Sequence, residues 1–345
     1  MINAETPLFC PRESCEHYQS PNNQIIKDGV YYTKNDPEPR QMFICKNGGH
    51  RFSETGFSGI FHKHGSFKEY EQTVKLTRYG LHTDAIADVL GKDERTIAEW
   101  QKHIGNKSKL FHFFVCMTMS FTISDLQMDE LWSYLGSKAK QLWVFVAFDP
   151  ATKFWINFTL GSRTLHSAYR LISGIKQLVV FQKDVVLRIT TDKLAAYKNA
   201  IEKLLVGVNY VYLQIVKQRY KKILVTVKKI FVKGTEKDFP DGTQNTSFIE
   251  RFNLTLRQRL SYLARKTLGY CKSKVNFEFM LWINLFDYNY CQIHKGLRID
   301  LKGEQQDKFQ QRYTHLTPAM KTNMTNSPLN VRYLLTTPVL SKYLN

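Results

Sequence analysis

A chain of 345 residues exceeds one average domain, so one sizeable domain with smaller modules is expected, and 43% hydrophobic with 13% aromatic residues excludes a disordered polymer. Lys and Arg outnumber Asp and Glu 49 to 30, a net charge of +19 that attracts polyanions, nucleic acid first and an anionic membrane surface second. No secretory leader is expected, because Met1 to Phe9 carries Glu5 and Pro7 and no apolar core; the longest apolar stretch, Phe111 to Phe121, contains His112 and is too short to span a bilayer. Six cysteines are too sparse for a disulfide scaffold. An intracellular setting follows, the cytoplasm or nucleoid in a prokaryote, with no membrane partner.

Residues 1–65 are rich in turns (Asp28-Gly29, Asp36-Pro37, Gly48-Gly49) and form the first expected module. Cys10 and Cys15 are followed by Cys45 and His50, and thiolate with imidazole is the donor set of a tetrahedral structural zinc site. A turn-rich segment with a small core gains folding energy from such a metal. His17, His62 and His64 are alternatives to His50. Cys116, Cys271 and Cys291 stand among apolar residues and read as buried thiols.

Residues 66–108 have helical periodicity broken at Gly80 and Gly91. Thr83 is expected to cap a helix ending at Leu90, Gly91 to make the tight turn, and Asp93 to cap a second helix whose Ile97 and Trp100 face the first. In this helix-turn-helix, Lys92, Arg95, Thr96, Glu99 and Lys102 are left to face a DNA major groove.

Residues 120–290 alternate apolar runs with amphipathic stretches, the pattern of an α/β domain. Gln141–Phe148, Lys153–Leu160 and Val185–Thr191 read as strands; Leu165–Val179, Lys193–Leu205 and Ser247–Leu268 read as helices. A Lys-rich insert at about 210–245 includes a two-stranded excursion, Val216 to Gly234, since Ile223–Val227 and Ile230–Val232 are β-branched and apolar. Residues 291–345 form a carboxy-terminal extension.

Three acids stand where a metal-dependent strand-transfer site needs them. Asp129 lies in the first strand-like segment, Asp192 ends a buried strand, and Glu250 sits in the first turn of a helix able to pack across the sheet. Phosphodiester cleavage and joining are in-line displacements, in which two divalent ions about 3.5–4 Å apart activate the attacking oxygen and stabilise the leaving one. Magnesium, for which manganese can substitute, takes carboxylate oxygen rather than thiol or imidazole. Arg257, seven residues after Glu250 on the same helical face, is placed to hold a DNA phosphate. Singly, each acid has a plain alternative: Asp192 can cap the next helix, Glu250 can be a first-turn dipole partner, and Glu130 can be the acid beside Asp129. Asp149, before Pro150, reads as a turn.

Basic residues without acids among them fill the insert (Lys217, Lys221, Lys222, Lys228, Lys229 and Lys233) and the run from Arg251 through Arg259, Arg265 and Lys266, with Tyr262 and Tyr270 interleaved. Such surfaces suit sequence-independent contacts to a DNA backbone.

At these residues the chain resembles transposases of the insertion-sequence-one family. The resemblance lies in Asn245 to Gln258 for the glutamate segment, Gln127 to Ser133 for the first aspartate, and Thr191-Asp192 with Ala196-Tyr197 for the second; it continues through Leu263 to Thr267, Asn289 to Leu297 and Thr317 to Met320. It implies a ribonuclease-H-like mixed sheet flanked by helices, an Asp-Asp-Glu triad, and an amino-terminal zinc knuckle with helix-turn-helix. The implied activity is binding of terminal inverted repeats followed by magnesium-dependent cleavage and transfer into target DNA, by a homodimer or larger assembly. A catalytically inactive DNA-binding regulator and a nuclease without strand joining are the rival readings. Two features depart from the family: its usual Cys-x-x-Cys pairs are wider here, and the gap from Asp192 to Glu250 is long.

Overall fold

The computed structural model describes residues 10–12, 14–16, 18, 24–34, 36–56, 65–221, 223–240, 242–265, 269–301 and 312–337. The chain divides into two compact units, residues 1–115 with 275–345, and residues 116–274.

The first unit opens with an antiparallel sheet of β1 (Ile25–Thr33), β2 (Asp36–Cys45) and β3 (His50–Ser53), in that order. Cys10, Ile25, Phe43, Cys45 and Phe52 form its small core. Next comes α1 (Phe67–Arg78), started by a reciprocal capping box between Ser66 and Glu69. Helix α2 (Thr83–Leu90) ends at Gly91, whose φ of 61° is the left-handed conformation that a residue without Cβ adopts freely. Thr83 is not its cap: His82 takes that position, and the Thr83 hydroxyl donates to Gln101 Oε1 at 2.9 Å. Asp93 does cap α3 (Glu94–Thr118), accepting from Arg95 N at 2.8 Å, and this helix runs on through most of the Phe111–Phe121 stretch.

The second unit is built on a six-stranded mixed sheet. β4 (Asp125–Leu135), β5 (Ser137–Asp149) and β6 (Phe154–Gly161) form an antiparallel meander; α4 (Leu165–Leu178) leads to β7 (Leu187–Thr191), and α5 (Ala195–Leu204) to β8 (Tyr210–Tyr220) and β9 (Ile223–Lys233). The spatial order is β6-β5-β4-β7-β8-β9, with β4, β7 and β8 parallel and β9 antiparallel to β8. The insert is thus a two-stranded excursion, but its first strand is also the continuation of β8 within the sheet. One sheet face carries α4 and α5, with Phe145 edge-on to Tyr197; the other carries α6 (Ser247–Arg259), whose Phe252 stacks on Phe148 at 4.7 Å. Close approach of α4 to β6 requires Gly174, since a Cβ there would lie 2.1 Å from Asn157 Nδ2. Helix α6 is shorter than its hydrophobic pattern suggests. Leu260 turns extended to bury its side chain, and Ser133 Oγ donates to the Tyr262 carbonyl at 2.8 Å, pinning the following turn to β4.

The remainder of the first unit is α7 (Lys274–Phe286) running into a π-helical turn, then the β10 (His294–Asp300) and β11 (Tyr313–Leu316) pair, α8 (Pro318–Lys321) and α9 (Val331–Thr336). Its core sets Phe111 edge-on to Phe286, Tyr290 and Tyr333. Cys116 and Cys271 are buried and Cys291 half-buried, none in a disulfide. Among the described residues no helix is long and apolar enough to cross a membrane.

Candidate active site: a carboxylate-lined cavity

β4 and β7 are hydrogen-bonded only as far as the pair Met128–Thr191, where β7 stops while β4 continues. The sheet splits there, and the next residue of each strand is an aspartate. Asp129 and Asp192 therefore face a crevice between parting parallel strands, and α6 brings Glu250 to the same place. A cavity of about 260 Å³ is lined by Asp129, Asp192, Lys193, Ile215, Val216, Lys217, Thr246 and Glu250. Glu130, the next residue of β4, joins them although alternation turns it toward Tyr197: oxygens of Asp129, Glu130 and Asp192 lie within 4.8 Å of one another.

Helix α6 is docked on β4 by two amide side chains. Gln127, 3% exposed, accepts from Ile249 N at 2.9 Å and donates to the Asn245 carbonyl at 2.8 Å, so it clasps the start of α6 on both sides of its first turn. Asn253 Nδ2 donates to Asp129 Oδ2 at 2.7 Å. Because Gln127 and Asp129 share a face of β4, and Ile249 precedes Glu250, these bonds set the register of the third carboxylate against the first.

The acids are crowded. Burial first, then repulsion from Asp192 and Glu250, pushes Asp129 up to about 6, against the pull of the Glu130 backbone N–H and Arg257. Burial, Asp192 and Asp129 push Glu130 up to about 7, against Arg163. Two cations answer this charge. Lys217 Nζ and Thr246 Oγ1 both donate to Glu250 Oε1. Arg163 donates to Glu130 Oε1 through Nε at 2.7 Å and lies 3.7 Å from Asp192 Oδ2. Tyr197 OH donates to Glu130 Oε2 at 3.3 Å. Like-charged oxygens held together at a cavity fit a divalent, oxygen-preferring ion, and Asp129, Asp192 and Glu250 are the donors that line it. Glu130 and Glu250 are each also held by a cation, Glu130 by Arg163 and Glu250 by Lys217; the oxygens grouped with the two aspartates are those of Glu130, whereas Glu250 shares the cavity lining with them.

Asp192 is not the cap of α5: Leu194 takes that position without a side-chain bond, and Asp192 accepts from Leu194 N at 2.9 Å in the turn that precedes it. Asp149 is buried at the β5–β6 turn, where it accepts from Ala151 N at 3.0 Å, as its place before Pro150 suggests. Arg257 is near enough to Asp129 for each to affect the other's ionisation. Sequence reasoning missed Arg163, and it placed Lys217 on an outer basic surface rather than against Glu250. The alternation of β8 carries the signal for Lys217: Ile215 and Lys217 share a strand face, and both line the cavity.

In the first unit the sulfurs of Cys10, Cys15 and Cys45 gather within 4.8 Å, with Cys15 and Cys45 3.9 Å apart. Burial, then hydrogen bonding and charge within the cluster, raises the Cys10 thiol to about 11, although its bond to the Arg12 backbone opposes the rise. Three converging thiols fit a thiophilic ion such as zinc. His50 pairs with Cys45 across β2 and β3, but its ring lies on Phe52 and is not part of the group; His17, His62 and His64 fall outside the described residues.

Arg95, Glu99 and Lys102 share the exposed face of α3 opposite buried Ile97 and Trp100, with Lys102 3.7 Å from Glu99; Thr96 is half-buried, and Lys92 is paired with Glu69 at 2.7 Å. Arg251 and Arg265 are exposed, Arg259 is half-buried, and Lys221 lies over the Tyr220 ring at 5.6 Å. Lys222 and Lys266 fall outside the described residues.

A mixed sheet flanked by helices, with this cavity where its parallel strands part, defines an α/β protein with a carboxylate centre suited to divalent metal. Comparison with known proteins narrows the class. The family model described as IS1 transposase matches residues 122–236, which include Asp129 and Asp192 and stop short of Glu250. Insertion element IS1 protein InsB of Shigella sonnei is 30% identical over 147 residues, covering 43% of this chain and 82% of that protein. Insertion element IS1 4 protein InsB of Escherichia coli K12 is likewise 30% identical over 147 residues, the match spanning 43% of this chain and 65% of the relative's length. The chain belongs to the IS1 transposase family. Among solved structures, the Mos1 strand transfer complex is similar at 10% identity and a TM-score of 0.20, covering 65% of this chain and 79% of that one.

Proposed function

We propose that the chain is a DNA transposase that binds the inverted repeats at its element's ends, cleaves there with magnesium and joins the freed ends to target DNA. The observation that carries this reading is the convergence of Asp129, Asp192 and Glu250 on one cavity at the split of the sheet. The second unit serves as a ribonuclease-H-like catalytic core. Asp129, Asp192 and Glu250 would hold two magnesium ions, which supply activation of the attacking oxygen and stabilisation of the leaving one.

The chain's own residues do the rest. Gln127 and Asn253 keep α6 and its carboxylate in register with β4. Arg257, near Asp129, holds a phosphate of the reacting strand through guanidinium hydrogen bonds. Arg251, Arg259 and Arg265 track the backbone beside it, with Lys221 on the β8–β9 hairpin; Lys222 and Lys266, outside the described residues, are further DNA contacts on the same reading. In the first unit Cys10, Cys15 and Cys45 hold structural zinc, and His50 is its fourth ligand only if the ring turns from Phe52 toward the three sulfurs. Helices α2 and α3 form the helix-turn-helix, with Lys92, Arg95, Thr96 and Lys102 toward DNA. Two element ends must be brought together, so a dimer or larger assembly acts, in the cytoplasm or nucleoid of a prokaryote.

The test is purified protein with labelled element-end DNA, target DNA and magnesium. Joined products are expected. Cleavage without joining would make the chain a nuclease, and a mobility shift without cleavage a regulator. Asp192→Asn should abolish chemistry and spare binding; strand transfer retained in that variant removes Asp192 from the site.

A further inference from the structure

Beyond the cavity, a run of aromatic rings crosses the β4–β5 hairpin and belongs to nothing described so far. Tyr270 stacks on Tyr134 with ring centres 6.3 Å apart and planes 25° from parallel, and Tyr134 lies 5.3 Å from Trp132. Trp132 is the cross-strand partner of Trp143, and the Arg163 guanidinium sits over the Trp143 ring at 5.1 Å. The same Arg163 reaches Asp192 at 3.7 Å. The track therefore ends at the carboxylate cavity.

Two properties separate this track from an ordinary cross-strand aromatic pair, which stabilises a hairpin by covering itself. Trp132 and Tyr270 are each 40% exposed, so indole and phenol faces stay open to solvent. The hairpin tip between the two tryptophans contains exposed Lys138 and Lys140, exposed Lys272 follows Tyr270, and the residues from Leu135 to Val144 include no acid. At the hairpin tip open π-faces lie among cations, and the acids next to the track, Glu130 and Asp192, stand only at its Arg163 end, paired with that guanidinium; such a surface suits stacked bases on a phosphate backbone. A second copy of this chain, at +19, would bring like charge to the same surface. Duplex DNA keeps its bases stacked on each other and offers none to these rings.

We infer that the Tyr270–Trp132–Trp143–Arg163 track binds single-stranded DNA, stacking unpaired bases beside the carboxylate cavity. The inference rests on the second unit being a DNA-processing core, and it adds that unpaired nucleotides next to the reacting phosphate are held by this hairpin.

The experiment is fluorescence anisotropy of the full chain with a labelled oligothymidylate and, separately, a duplex of equal length, at fixed salt and without added magnesium. Stacking on one aromatic ring is worth ~1–3 kcal/mol per base, so Trp132→Ala should weaken single-strand binding about 5- to 150-fold. Duplex binding should stay within about two-fold. Trp132→Phe, which keeps a ring, should restore most of the affinity, and Tyr270→Ala, at the far end of the track, should weaken single-strand binding in the same sense. Oligothymidylate should also quench the tryptophan fluorescence of the unaltered protein. The inference is overturned if both alanine variants bind single strands as the unaltered protein does, or if they lose single-strand and duplex binding equally. Because no magnesium is present, these outcomes are independent of whether the cavity performs strand transfer, which the joined-product assay reads separately.

Discussion

Replacing Gln127 with leucine tests the docking of α6 most sharply. The side chain is 3% exposed and makes two hydrogen bonds, one to Ile249 N at 2.9 Å and one to the Asn245 carbonyl at 2.8 Å. Leucine approximates the shape and supplies neither. The Ile249 N–H lies in the first turn of the helix, where it has no intrahelical acceptor, and it would be left buried and unpaired. A buried group stranded this way costs about 1–3 kcal/mol, and the less enclosed Asn245 carbonyl costs less, so Gln127→Leu should destabilise the fold by about 2–4 kcal/mol. Urea unfolding reads this as a lower midpoint at unchanged slope. The residue after Ile249 is Glu250, so strand transfer in conditions where the variant is folded should fall further than the folded population does. A loss below about 0.5 kcal/mol with strand transfer intact would refute the view that Gln127 sets the register of the third carboxylate.

Other expectations follow from the same geometry. Asp129, raised to about 6 by burial and by Asp192 and Glu250, and Glu130, raised to about 7 by burial and by both aspartates, bind more protons in the folded state than in the unfolded one. Without divalent metal, stability should therefore fall as pH rises from about 4 to about 7, by up to ~3 kcal/mol for the shift of Asp129 alone, and magnesium should restore part of it; thermal melts at pH 5 and 7.5 with and without magnesium decide this, and a flat profile opposes it. Asp149, raised to about 6 chiefly by burial in its turn, adds a loss of the same sign that magnesium should leave untouched. Metal analysis should find one zinc per chain, lost in Cys45→Ser together with a lower melting temperature, whereas equal metal content in both proteins removes the thiol cluster from zinc binding. His50→Ala should weaken zinc retention only if the ring leaves Phe52 to complete the site, and unchanged retention would assign the fourth ligand elsewhere.

Much of the second unit was legible in the residues because its signals are local. The apolar runs of β5, β6 and β7 and the amphipathic α4 and α5 stand within a few residues of where periodicity places them, and the insert forms two strands as its β-branched content suggests. Asp149 likewise makes the turn that its place before Pro150 indicates. What periodicity did not carry was termination. Helix α6 stops at Arg259 because Leu260 and Leu263 bury against the sheet, a tertiary gain that outweighs helical propensity. The cap of α2 is not legible locally, since His82 takes the position and Gln101, eighteen residues from Thr83, accepts its hydroxyl. In the cavity, Asp129 and Asp192 could be marked from strand ends, but Arg163 and Lys217 could not. Their roles depend on β7 stopping short of β4 and on β8 neighbouring β7, and strand order is not written in any single segment.

The central claim is that Asp129, Asp192 and Glu250 together form one binding site for divalent ions. Anomalous diffraction from crystals of the protein grown with manganese reads it directly. One or two peaks between these three carboxylates are expected, about 3.5–4 Å apart if two are present. A peak at Asp192 with Glu250 still held by Lys217 and away from the ion, or no peak in the cavity while strand transfer depends on manganese, would contradict the account.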